Sequence, residues 1–203
     1  VSRVLVACES SGVVRDAFRA RGHDAWSCDL LPTERPGPHI QGDVLEVLKD
    51  GWDLMIAHPP CTYLSRAGAR WWGGDNREWA ALEAAQLVRA LWEAPIPRVA
   101  IENPVGMLWQ IWRKPDQAIE PWMFGDPYTK KTCLWLRGLP PLIATEARLA
   151  VGPWLPSNTG GASRGQTSAR GVVHGGKDAS RTFQGVADAF ADQWGALLME
   201  KAA

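Results

Sequence analysis

The sequence has no excess of charge of either sign, because 22 Lys and Arg balance 22 Asp and Glu over 203 residues. That excludes a global electrostatic footprint for nucleic acid, although a local basic strip stays open because fields follow the distribution of charge. Cysteine is sparse and unpaired. Cys8, Cys28, Cys61 and Cys133 form no Cys-x-x-Cys pair, and no histidine sits at zinc-like spacing, so neither a bound metal nor a disulfide framework is expected. Free thiols in a reducing cytoplasm are expected instead. No apolar run is long enough to span a bilayer, and the first residues do not read as a signal peptide, so no membrane association is expected. The first strand–helix junction lacks a Gly-x-Gly-x-x-Gly fingerprint, which speaks against a standard dinucleotide loop.

What is present suits one soluble α/β domain over 1–203: 46% hydrophobic and 22% charged residues, with no internal repeat and no linker. Tryptophan is the exception, at 12 residues. Such rings fill cores or stack on bases, and most are expected to be structural.

Short apolar runs predict buried strands at 4–7, 24–28, within 39–44, at 54–57 and at 99–101. Helical spacing marks 13–21, 77–93, a short segment at 105–112, and 183–199. The Pro-rich stretch 32–38 and the stretch 62–76 read as loops. Residues 133–136 read as a strand joining the sheet edge, and 151–181, rich in Gly, Ser, Arg and Thr, as a long loop. Strand and helix alternate at crossover lengths, which predicts a doubly wound, mostly parallel sheet. Ligands in such sheets bind beyond the carboxyl ends of the strands. There the chain places Glu9, Asp29, Asp43, the Pro59–Cys61 turn and Glu102.

Ser10-Ser11-Gly12 before a helix offers backbone N–H groups, Asp29 is placed for a ribose hydroxyl, and Asp43 for an adenine amino group. The plainer alternative is that both aspartates only cap loops. Cys61, just past a buried strand and after two prolines, is either an inert buried thiol or a nucleophile on a rigid turn.

The run Pro59-Pro60-Cys61-Thr62-Tyr63-Leu64-Ser65-Arg66-Ala67-Gly68 resembles the catalytic loop of DNA cytosine carbon-5 methyltransferases, which shows Pro-Cys, then Ser four residues on, then Ala-Gly. Ile101-Glu102-Asn103-Pro104 resembles the Glu-Asn-Val motif of that family, in the same order along the chain. Val4 to Gly12 is similar to its first cofactor motif, with Cys8-Glu9-Ser10 where Phe-x-Gly is usual. Gly125 to Thr132 resembles a degraded Gly-x-Pro-Gln-x-Arg-x-Arg block, with Tyr128, Lys130 and Thr132 at the Gln and Arg positions. Gly185-Val186-Ala187 echoes the last motif.

The resemblance implies the Rossmann-like fold of class I methyltransferases, S-adenosylmethionine as cofactor, and a cytosine flipped out of double-stranded DNA. It implies Cys61 as covalent nucleophile, Glu102 as the group that meets the ring while protonated or hydrogen-bonded, and Lys130 as a stabiliser of the adduct. A lysine cannot reproduce the bidentate geometry of an arginine, and Lys130-Lys131 also reads as a solvated charge pair. Glu9, Ser10, Gly12, Asp29, Asp43 and Pro59 are then expected at the cofactor. Pro60, Ser65, Arg66, Asn103, Arg164 and Arg170 are expected at the substrate. Arg70, Trp71 and Trp72 either meet DNA or pack their loop. His174, Lys177 and Arg181 complete either a basic phosphate-binding arm or a solvated loop.

The family carries a sizeable target-recognition region where this chain has only the loop-like stretch 141–181. That fits a compact, monomeric, phage-type protein in a prokaryotic cytoplasm. It leaves open a short recognition site, an RNA or free-nucleotide substrate, methylation of an exocyclic amine, and binding without turnover.

Overall fold

A computed structural model of the chain describes residues 1–64, 77–146 and 181–199. Its centre is a seven-stranded sheet in the order β3-β2-β1-β4-β5-β7-β6. The strands are β1 (Arg3–Ala7), β2 (Asp24–Asp29), β3 (His39–Gln41), β4 (Leu54–Ala57), β5 (Arg98–Pro104), β6 (Gln117–Ile119) and β7 (Thr132–Arg137). The first five run parallel to their neighbours, and β7 runs antiparallel to both β5 and β6. This is the expected Rossmann-like, mostly parallel α/β sheet.

The apolar runs become central strands because both faces are covered. Alternate residues divide between two cores. Val4, Val6, Leu54, Ile56, Ala100 and Leu134 pack with α1 (Val13–Ala20) and the C-terminal helices. Leu5, Ala7, Met55, Ala57, Val99 and Ile101 face the other way, onto Val88 and Leu91 of α2 (Arg77–Glu93). Each large side chain so buried stabilises the fold by about 1.5–3 kcal/mol.

The chain leaves β1 towards β2 and β3, then returns to β4 on the other side of β1. The topological switch therefore lies between the carboxyl ends of β1 and β4, where such sheets form a ligand crevice.

Three expectations need correction. The strand at 133–136 does not sit at the edge: β7 is inserted between β5 and β6. The edge belongs to β6, whose three residues are too few for a periodic signal. The helix expected at 105–112 contracts to α3 (Leu108–Ile111), since Gly106 favours helix poorly and Pro115 follows closely. The closing helix is interrupted. Between α4 (Gln184–Ala189) and α5 (Gly195–Met199), Phe190–Trp194 widens to a π-turn whose two aromatic rings stack at 4.8 Å. Among the described residues, no helix is long and apolar enough to cross a membrane.

Most tryptophans whose surroundings are described are structural, as expected. Trp52, Trp135 and Trp194 are buried, and Trp92, Trp112 and Trp135 form a contact chain, while Trp79 and Trp109 are exposed.

The C-terminal segment is clamped to the 125–132 block at one point. The Gly185 N–H donates to Asp126 Oδ2 at 2.8 Å, and a Cβ on Gly185 would lie 1.9 Å from the Phe124 carbonyl oxygen. Gly185→Ala must push backbone apart, so urea unfolding is expected to show a loss of about 1–3 kcal/mol. An unchanged midpoint would contradict this contact.

Candidate active site

The crevice is built from two strand-end turns. At the first, β1 gives way to Cys8, which adopts a left-handed backbone with φ 58°. Glu9 follows, 4% exposed, with its carboxylate turned inward. It accepts the N–H groups of Val14 at 2.8 Å and Arg15 at 3.3 Å, and the Ser11 hydroxyl at 3.0 Å. Ser11 Oγ in turn accepts the Val13 N–H at 3.3 Å. The donors that a helix N-terminus would offer an anion are thus already taken by the chain's own carboxylate. Glu9 shapes this loop from inside.

Gly12 is left-handed, and a Cβ there would meet the Arg15 guanidinium at 2.5 Å. Arg15 is fully buried. It donates to Asp16 at 2.8 Å, to Ser27 and Thr33 at 3.1 Å, and to the carbonyls of Arg35 and Pro36 at 3.2 Å. This pins the Pro-rich loop against the sheet. Sequence reasoning missed Arg15 because an arginine in an amphipathic helix reads as solvent-facing. The Glu34 N–H from the pinned loop reaches the Ser10 carbonyl at 2.8 Å.

Asp29 is half-buried and Asp43 exposed. Each commits Oδ1 to a loop N–H at 2.9 Å, that of Leu31 and of Leu45 respectively, so both cap turns as the plainer reading expected. Both also face Cys8. Burial first, then the charge of Asp29, Cys28 and Asp43, pushes the Cys8 thiol up to about 12. Two carboxylates therefore bound the crevice beside β1, with Glu9 behind them.

At the second turn, β4 ends in His58-Pro59-Pro60-Cys61. Asn103, 1% exposed at the end of β5, donates its Nδ2–H to the Pro59 carbonyl at 2.9 Å. Leu64, fully buried, donates its N–H to the Cys61 carbonyl at 3.1 Å. Cys61 is thereby held on a fixed turn yet only half-buried.

Glu102 precedes Asn103 on β5. Its Oε2 lies 3.1 Å from His58 Nδ1. Burial opposes charge on Glu102, but the bond and charge of His58, the charge of Lys130 and a bond from the Thr132 hydroxyl outweigh it. The carboxyl is held below its ordinary range. Cys61 responds to the same field. Burial and then Glu102 raise its thiol, Lys130 and a backbone hydrogen bond lower it, and the balance stays above the ordinary value.

Glu102, Lys130, Thr132, Arg181 and Phe183 line one shallow cleft open to solvent. Lys130 also stands 5.7 Å from the centre of the Phe183 ring. Arg181, expected in a phosphate-binding arm, is bonded to Glu34 and brings the two halves of the crevice together.

Cys61, Glu102 and Lys130 therefore share one field, with Pro59, Pro60 and Asn103 at the same strand ends. Glu9, Ser10, Gly12, Asp29 and Asp43 gather on the β1 side. Ser65, Arg66, Arg70, Trp71 and Trp72 lie outside the described residues, as do Arg164, Arg170, His174 and Lys177. His58 was overlooked: beside two prolines it reads as a strand terminator, and its bond to Glu102 spans 44 residues.

Neither a protein-family model nor a curated protein matches the chain. Among solved structures, it is similar to an E. coli protein described as a candidate DNA modification methyltransferase encoded within a prophage. The identity is 15%, the match covers 67% of this chain and 46% of that one, and the TM-score is 0.43. The chain thus spans under half the length of that protein.

Electrostatics and burial together order the four thiols. With iodoacetamide at pH 8 and peptide mapping, Cys61 is expected to react more slowly than a free thiol but ahead of Cys8, whose thiol is pushed up to about 12, and ahead of Cys28 and Cys133, which are raised and buried. Cys8 reacting first would contradict the assignment.

Proposed function

We propose that the chain transfers a methyl group from S-adenosylmethionine to carbon 5 of cytosine in DNA, with Cys61 as covalent nucleophile. The observation that carries this reading is a half-buried thiol on a rigid turn, sharing the field of a carboxylate that lines a solvent-open cleft.

The cofactor reading rests on charge. The β1 turn uses Glu9 to satisfy its own helix N-terminus and presents Asp29 and Asp43 at the rim. A pyrophosphate there finds the Val13, Val14 and Arg15 N–H groups already bonded and meets two carboxylates. A nucleoside bearing an ammonium and a sulfonium, and no phosphate, suits the same surroundings. Asp29 would hold the ribose, Asp43 the adenine side, and Ser10, Gly12 and Pro59 the backbone walls. Bound there, the cofactor supplies an electrophilic methyl group.

The chain's residues then have distinct tasks. The Cys61 thiolate adds to carbon 6, and the electron pair displaced from the 5,6 double bond becomes available at carbon 5. That pair would take the methyl group that a bound cofactor supplies. Loss of the carbon-5 proton to water then restores the double bond and expels the thiolate. Glu102, meeting the pyrimidine edge through a shared proton, loses its negative charge as the base docks. Its upward pull on the Cys61 thiol then ends while the downward pull of Lys130 remains. Substrate binding thereby favours the thiolate only when a base is in place.

A cytosine in a duplex must leave the stack to reach this turn. DNA as substrate is supported by exposed Tyr63, two residues beyond Cys61, and by Trp109 with Lys114 6.0 Å from its ring centre. The Leu64 carbonyl binds the Met107 N–H at 2.6 Å, which sets the helix bearing Trp109 next to the Cys61 turn.

Two measurements test the reading. Transfer of labelled methyl from S-adenosylmethionine to cytosine-containing DNA is expected to vanish in Cys61→Ser, with cofactor affinity retained; residual transfer would remove Cys61 as nucleophile. By calorimetry, Asp29→Ala is expected to weaken cofactor binding roughly tenfold, the size of one lost hydrogen bond to a charged group. Unchanged affinity would take Asp29 out of the site.

A further inference from the structure

Glu102 has an oxygen to offer a pyrimidine only if its carboxylate is turned the right way, and two side chains hold it, His58 and the Thr132 hydroxyl. The His58 N–H is bonded to the Ala7 carbonyl at 2.9 Å, so the backbone turn does not depend on the imidazole. The ring is 12% exposed, its Nδ1 lies 3.1 Å from Glu102 Oε2, and its Nε2 is buried with no hydrogen-bond partner among the described residues. A carboxylate oxygen can only accept, so the ring nitrogen that faces it must carry the hydrogen. The geometry selects Nδ1–H donating to Oε2.

Resting on the cytosine reading above, we infer that His58 is a positioning residue that anchors Glu102 through Oε2 and turns Oε1, with the proton it acquires, towards the pyrimidine edge.

The groups that face Glu102 define what this does to the pH response. His58 and Cys61 come from the turn after β4. Lys130, Thr132 and Cys133 come from the β7 side, and Arg181 lines the same cavity. The resting pair is thiol and carboxylate. The reacting pair is thiolate and carboxylic acid. Both carry one proton, so docking and activation move a proton within the site and draw none from solution. The rate of adduct formation is then flat between the depressed value of Glu102 and the raised value of Cys61. Loss of the His58 bond raises the Glu102 carboxyl. The acid limb must then move up in pH, because below it both groups are protonated and the thiolate is lost.

The test follows covalent trapping of Cys61 by duplex DNA containing 5-fluorocytosine, in the presence of S-adenosylmethionine, from pH 5.5 to 8.5. The wild-type profile is expected to be flat. His58→Asn places an amide N–H where Nδ1–H was and is expected to keep the rate within about threefold with the same flat profile. His58→Gln places its amide at the Nε2 position instead. It is expected to lose about tenfold, the scale of one hydrogen bond to a charged group, with a further fall towards pH 5.5. Two polar substitutions of one site keep the comparison within folded proteins. Equal rates in all three proteins, or equal losses in both variants with no change of profile, would overturn the role of His58 while leaving the cytosine reading intact. Absence of any wild-type adduct would overturn both.

Discussion

One buried hydrogen bond, from Asn103 Nδ2–H to the Pro59 carbonyl at 2.9 Å, joins the ends of β4 and β5. Pro59 and Pro60 remove backbone freedom before Cys61, but they do not fix where the turn points. Asn103 does. Because Glu102 is its neighbour in sequence, the same strand end that anchors the turn carries the carboxylate. Register between β4 and β5, set by Leu54↔Arg98 through Ala57↔Ile101, therefore becomes the relative placement of a thiol and an acid. A slip of one residue would turn the side chains of a strand to the opposite face and separate them.

Around that junction the charges divide. The β1 side is acidic, with Glu9 enclosed and Asp29 and Asp43 at the rim, and it holds Cys8 as an inert thiol. The cavity side sets Lys130 beside Glu102 and pairs Arg181 with Glu34. One crevice thus offers a cation-favouring wall next to a pocket lined by two basic groups. That arrangement suits a positively charged cofactor and a phosphate-bearing substrate meeting at a thiol. A chain with zero net charge can have this polarity because only local distribution matters.

Much of the fold was legible in the sequence for a physical reason. Runs such as Leu54-Met55-Ile56-Ala57 are apolar on both faces, which suits a central strand covered by helices. The Pro-Pro-Cys and Glu-Asn segments were legible as strand ends because each closes an apolar run that a central strand buries. What escaped depended on contacts between distant segments. The insertion of β7 is decided by pairing with both β5 and a three-residue β6. Arg15 is buried because five oxygen atoms, four of them from residues 27–36, surround its guanidinium. The ionisation of Glu102 is set by His58, Lys130 and Thr132, from two other parts of the chain. No local pattern encodes those meetings.

The central claim is that this junction methylates cytosine at carbon 5, and the modified base itself is the most direct witness. Bisulfite sequencing of DNA from cells producing the protein reads it position by position. The expected result is cytosines protected from conversion in a recurring context, and none in cells producing the chain without the Cys61 sulfur. Complete conversion throughout the genome, with the folded protein present, would contradict it.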